Sequence, residues 1–131
     1  MNSYTSAADA YRQATFENAP PIKIVRLMYQ GAMRFLDEAL TMGAEADPTR
    51  FRDRLNRAEA VIVELRISLE PDYAPELCRE LERLYLFAED AIHQAIQSGD
   101  VEPLYGAKRV LSSLFEAWQE IELREQDKEA A

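Results

Sequence analysis

Apolar positions recur every three or four residues along most of this chain, and turn-forming residues interrupt the rhythm at intervals. Pro20-Pro21 disfavours helical geometry just before it, and Pro21 suits a first helical position. Gly43 is placed to end one helix, and Asp47-Pro48 to cap and open the next. Pro71 and Pro75 bracket a short break, and Ser98-Gly99-Asp100 closes one helix and caps another. The punctuation predicts four helices, roughly 21–43, 48–70, 75–98 and 101–126. The second carries a seam of Phe51, Leu55, Ala58, Ile62, Leu65 and Leu69. The third repeats it with Leu77, Leu81, Leu84, Ala88, Ala91 and Ala95, and the fourth with Leu104, Ala107, Leu111, Leu114, Trp118 and Ile121. Such seams joined by short loops make antiparallel bundles. No segment alternates like a strand. The expected fold is all-α: an antiparallel four-helix bundle over 21–126, with a flexible N-terminal arm (1–20) and an acidic tail (127–131).

The first helix breaks the pattern. Its polar residues form one thin stripe, Lys23, Arg26, Gln30, Arg34, Asp37 and Thr41, and nearly everything else on it is apolar. A bundle helix needs an apolar stripe of about 100°, and this arc is far wider. Either the helix is central, or its extra face meets the N-terminal segment, a second subunit or a client peptide. The arm brings Tyr4, Tyr11 and Phe16 among small and polar residues. These aromatics either dock reversibly in a groove or rest on the bundle as a frayed terminus. Gly31 and Gly106 fall inside predicted helices, where glycine costs about 1 kcal/mol against alanine. Tight packing within the bundle and close approach of a partner are both open as reasons.

Charge and composition narrow the function. The 131 residues suit one domain, with 47% apolar and 30% charged residues. No apolar run approaches a membrane span, and the first residues lack the basic and apolar regions of a secretory signal. Cys78 is the only cysteine, which excludes an intrachain disulfide and suits a reducing cytoplasm. A net charge of −9 repels phosphate backbones, so nucleic acid is not an expected partner. Arg50, Arg52, Arg54 and Arg57 form a local basic cluster, read as a solvated helix start or, more sharply, as a docking patch for an acidic partner.

No catalytic residues emerge. A di-metal carboxylate bundle needs two Glu-x-x-His pairs, and His93 is the only histidine, with Asp90 three residues and Glu89 four residues before it. Cys78 sits between Glu76 and Glu80, which disfavour a thiolate. The four glycines are scattered, so no phosphate loop exists. Neither metal nor cofactor is expected, and the chain reads as a non-enzyme.

Several stretches resemble a known family. Tyr11-Arg-Gln-Ala-Thr-Phe16 leads to Pro20-Pro21, and Leu27-Met28-Tyr29-Gln30-Gly31 follows. Leu81-Glu-Arg-Leu84-Tyr85 and Leu111-Ser-Ser-Leu114-Phe115-Glu-Ala117-Trp118 come later, in order, so that the match spans Tyr11 to Trp118. Together they resemble the flagellar secretion chaperone family FliS, with Gln30 where Asp or Asn is usual. The resemblance implies a helical bundle that binds the C-terminal segment of flagellin in the cytoplasm. It implies that the client is kept from premature polymerisation and passed to the flagellar type III export apparatus, with export gate components as further partners. In some relatives the arm covers the client groove, and Tyr11 matches the tyrosine tied to client binding. The candidate partner-binding residues are therefore Tyr11 and Phe16 in the arm, Ile24, Leu27, Met28 and Gly31 on the first helix, and Tyr85 on the third. A monomer or weak homodimer is expected. The alternative is a structural bundle that self-associates through its first helix and has no client.

Overall fold

The computed structural model describes residues 21–72 and 74–130. It contains four helices: α1 (Pro21–Met42), α2 (Pro48–Ile67), α3 (Pro75–Ser98) and α4 (Glu102–Ala130). No strand occurs among the described residues. The expected caps are in place. Gly43 takes the left-handed conformation (φ 66°) and its N–H returns to Ala39 O at 2.9 Å. The Asp47 carboxylate accepts from Arg50 N at 3.0 Å, ahead of Pro48 in the first turn. Gly99 ends α3 at φ 74°, and Asp100 Oδ1 accepts from Glu102 N at 3.0 Å, so α4 starts at Glu102. Each cap satisfies backbone groups that a helix end otherwise leaves unpaired.

Two boundaries differ from the sequence reading. The second helix ends at Ile67 and not near residue 70. Ser68 stops it: its hydroxyl, buried, donates to Leu65 O at 2.9 Å, a local bond that competes with helix propagation. Pro71 then disfavours helical geometry just before itself. The fourth helix runs beyond residue 126 to Ala130, with an Arg124–Glu120 pair one turn apart along it.

The helices form a ring in which α1 packs on α2, α2 on α3, α3 on α4 and α4 on α1. Cross-helix pairs fix the directions. Arg54 meets Glu38 at 2.9 Å, Arg66 meets Glu89 at 2.7 Å, Lys108 meets Asp37 at 2.7 Å and Arg26 meets Glu122 at 2.6 Å. Along α1 and α4, and along α2 and α3 where Glu59 also meets His93, the residue numbers rise on one helix as they fall on the other, and the short turns at 43–47 and 99–101 reverse the chain between the remaining neighbours, so adjacent helices are antiparallel. The core comes from all four: Val25, Leu36 and Ala39; Phe51, Leu55 and Ile62; Leu81, Ala88 and Ile92; Leu104, Ala107 and Leu111. Fully burying one such Leu, Ile or Phe contributes about 1.5–3 kcal/mol.

The inner faces of α3 and α4 are rotated from the expected seams. On α3, Leu84 is half-buried, while Tyr85 and Ile92 fill the interior and Glu89 is buried against Arg66; Leu77 keeps the inner face but is exposed near the start of the helix. On α4, Leu114 and Trp118 are half-buried and Ile121 is exposed. Glu122 turns inward in its place because Arg26 of α1 meets it there. Polar residues with good partners thus replaced apolar ones at the seam, which an apolar-periodicity reading does not see.

Candidate functional site

The first helix presents three kinds of surface. Val25, Met28, Tyr29, Ala32, Leu36 and Ala39 point into the core. Lys23, Gln30, Arg34, Asp37 and Thr41 face solvent. Between them, on the flank towards α2, Ile24, Leu27 and Gly31 follow each other at steps of three and four. Leu27 is 52% exposed, and Ile24 and Gly31 are half-buried. The wide apolar arc therefore has two causes. Most of it is core, because α1 touches both α2 and α4, and a narrow remainder is left uncovered by the described residues.

Gly31 is informative. A Cβ built there would meet no described atom within 4 Å. Packing within the described bundle therefore does not explain this glycine, and neither does a turn, since it lies mid-helix. Gly106 behaves oppositely: a Cβ there would stand 3.3 Å from Phe87 Cζ, so this glycine lets α4 approach an α3 side chain. The two readings left open for these glycines separate, with packing at Gly106 and accessible backbone at Gly31.

Of the seven candidate partner-binding residues, Tyr11 and Phe16 lie outside the described residues. Ile24, Leu27 and Gly31 come together on one flank of α1. Met28 and Tyr85 are buried in the core, at 4% and 2% exposure. Tyr85 has an evident structural task. Its hydroxyl lies 2.5 Å from that of Tyr29, with the rings 6.4 Å apart and tilted by 45°, and Trp118 Nε1 donates to Tyr29 Oη at 3.1 Å. This chain joins α3, α1 and α4, and each of its members comes from one of the short stretches that carried the family resemblance. Sequence reasoning placed Tyr29 in an apolar arc and missed its hydrogen bonds. The signal was available, because a buried tyrosine needs a partner for its hydroxyl.

Further apolar surface lies elsewhere. Leu84, Phe87 and Val110 line a shallow groove between α3 and α4, with Arg83 and Asp90 at its edge. A second depression follows the outer side of α1, lined by Met33, Met42 and Phe115 with Gln30, Arg34 and Asp37 around them. The basic cluster at the start of α2 is partly tied up. Arg54 pairs with Glu38 and Asp53, Arg57 also pairs with Asp53, and Arg50 and Arg52 are exposed.

The reactive side chains are engaged structurally. His93 faces Glu59 of α2 across the α2–α3 interface. Glu89 is taken by Arg66 through both oxygens, at 2.7 and 3.0 Å, which raises the guanidinium pKa above its usual value. The Cys78 thiol donates to Glu70 O at 3.3 Å. Among the described residues no three His, Cys, Asp or Glu side chains are grouped to hold a metal ion, and no helix is long and apolar enough to cross a membrane.

Comparison with known proteins identifies the family. The family described as flagellar protein FliS matches residues 4–125. The chain belongs to the FliS family. A relative from Vibrio cholerae serotype O1, the flagellar secretion chaperone FliS, is 25% identical over 116 residues, covering 86% of this chain and 85% of the relative. FliS is a family of chaperones and not of enzymes. The matched span takes in α1 to α3 and most of α4, and includes Tyr29, Tyr85 and Trp118, the three residues of the hydrogen-bond chain.

Proposed function

We propose that this FliS-family chain binds the C-terminal segment of flagellin in the cytoplasm, holds it unpolymerised, and passes it to the flagellar export gate. The observation that carries this reading is the α1 flank, where a half-exposed Leu27 stands beside a mid-helix glycine with open space above its backbone. An apolar client helix needs such a place, since close backbone approach lets its side chains reach the chaperone's apolar floor. Tyr11 and Phe16 of the arm complete the partner-binding set with Ile24, Leu27 and Gly31. Met28 and Tyr85 act on it from beneath, by supporting the α1 backbone. The working unit is a monomer or weak homodimer.

A client that folds as it binds has to offset an ordering cost of about 2–5 kcal/mol, so a long apolar contact is required. The test is calorimetric titration with the C-terminal segment of the organism's own flagellin at several temperatures. One-to-one binding with a strongly negative heat-capacity change is expected, and Tyr11→Ala is expected to weaken it while leaving the melting of the bundle unchanged. Absence of binding by demonstrably folded protein would remove the flagellin assignment. A stable dimer that covers Leu27 would then make self-association the better reading.

A further inference from the structure

The bundle is electrostatically lopsided along its axis. The half that holds the α1–α2 and α3–α4 turns, residues 34–57 and 93–113, carries seven basic and seven acidic residues. The other half, residues 21–33, 58–92 and 114–130, carries seven basic and fifteen acidic residues. Nearly all of the net charge of −9 therefore sits at one end. Local pairing does not remove the excess. Arg26, Arg66, Arg83 and Arg124 each engage one carboxylate there. Glu70, Asp72 and Glu76, around the α2–α3 connection, are exposed and have no cationic partner among the described residues.

At the same end the described residues leave an apolar side chain of α3 uncovered. Its cause is a mismatch in helix placement. Arg66, one residue before the end of α2, pairs with Glu89, far along α3. The first three turns of α3 therefore extend beyond α2, by about 16 Å at 1.5 Å per residue. Leu77 sits on the same face of α3 as buried Leu81 and Ala88, yet it is 57% exposed. Ile121 on α4 is exposed at this end too. An exposed apolar side chain on a core-facing helix face, set in a net acidic surface, suits a protein partner of the opposite charge.

We propose that this Leu77 end is a docking surface for a second protein, one that presents apolar side chains framed by lysine and arginine. Charge selects that chemistry. Another copy of this chain would bring either the same acidic end, which is repelled, or a neutral end, which offers no complement. Nucleic acid and anionic lipid are repelled as well. The surface lies on α3 and the α2–α3 connection, away from the Leu27–Gly31 flank, and it does not depend on which client that flank takes.

The probe is an 18-residue amphipathic helix of leucine and lysine, compared with its leucine–glutamate counterpart. Each is titrated calorimetrically into the full-length protein in dilute and in concentrated sodium chloride. The leucine–lysine peptide should bind one-to-one, and the leucine–glutamate peptide should not. Leu77→Ser should weaken binding roughly tenfold in concentrated salt, where the apolar contact dominates. Glu70→Lys, Asp72→Lys and Glu76→Lys together should weaken it at least about tenfold in dilute salt. Glu45→Lys, in the α1–α2 turn at the neutral end, should leave it unchanged. All these positions are exposed, and circular dichroism checks that each variant is folded. Equal binding by Leu77→Ser and the unaltered protein would reduce the effect to adsorption on an acidic surface and overturn the proposal. So would equal loss on Glu45→Lys, or binding of the leucine–glutamate peptide. Titration of the same variants with the flagellin segment separates the two surfaces. If Leu77→Ser weakens that binding equally, the surface is part of the client site and the proposal of a second partner falls.

Discussion

A hydroxyl among apolar side chains needs a partner, and Tyr29 and Tyr85 supply each other with one at 2.5 Å. Tyr85→Phe should lower the unfolding free energy by about 0.5–1.5 kcal/mol in urea titrations, with helix content unchanged. Because the two hydroxyls share a bond, Tyr29→Phe combined with Tyr85→Phe should cost less than the sum of the single changes. Strict additivity would mean that each hydroxyl is satisfied by something else. Gly31 makes the opposite kind of prediction. Nothing among the described residues opposes a Cβ there, so Gly31→Ala should raise stability by up to about 1 kcal/mol through helix propensity. The same methyl group occupies the space assigned to the client, so affinity for the flagellin segment should fall. A gain in stability with unchanged affinity would show that the client does not use that space.

Helix number and caps were readable from residue types alone, since Gly43, Asp47-Pro48 and Gly99 each act through local backbone chemistry. The inner faces of the outer turns were less readable. Tyr85 displaced Leu84 and Glu122 displaced Ile121 because distant partners, Tyr29 and Arg26, determine which side turns inward. The end of α2 depended on Ser68 bonding its own backbone. Of the candidate site, the α1 arc was visible as an excess of apolar residues, but not which part of it was core. That division depends on α1 touching two neighbours. Trp118 shows the consequence for an element. A fully buried indole removed from a core costs about 3–5 kcal/mol, and Trp118 is only half-buried. Trp118→Ala should therefore cost less, about 2 kcal/mol, and leave a folded bundle with a looser α4. Trp118→Phe, which keeps a ring but removes the donor to Tyr29, should cost about 1 kcal/mol. Chemical denaturation of the two variants measures the difference.

At the scale of the whole molecule, four similar seams leave the arrangement around the ring undetermined, because either hand buries the same residues. The cross-helix pairs choose. Arg66 with Glu89 and Arg26 with Glu122 are partly buried, and in the opposite hand the flank of α1 that carries Arg26 would face α2 and not α4. Glu89→Ala should lower stability by about 2 kcal/mol, since Arg66 loses both hydrogen bonds while remaining partly covered. Glu120→Ala, at an exposed pair within α4, should cost at most about 0.5 kcal/mol. The ring therefore combines a strong core with a few directional contacts, and its uneven charge leaves one end suited to a cationic surface.

The chain contains a single tryptophan, and it is the one whose indole N–H reaches Tyr29. Excited at its long-wavelength edge, the protein therefore reports through one fluorophore at one place, the seam between α1 and α4. Emission should shift to the red when that seam opens, and its polarisation should fall if the indole is released. No label or engineered site is needed. A ligand on the far side of the bundle that alters this signal would reveal a coupling between opposite faces that a binding isotherm cannot register.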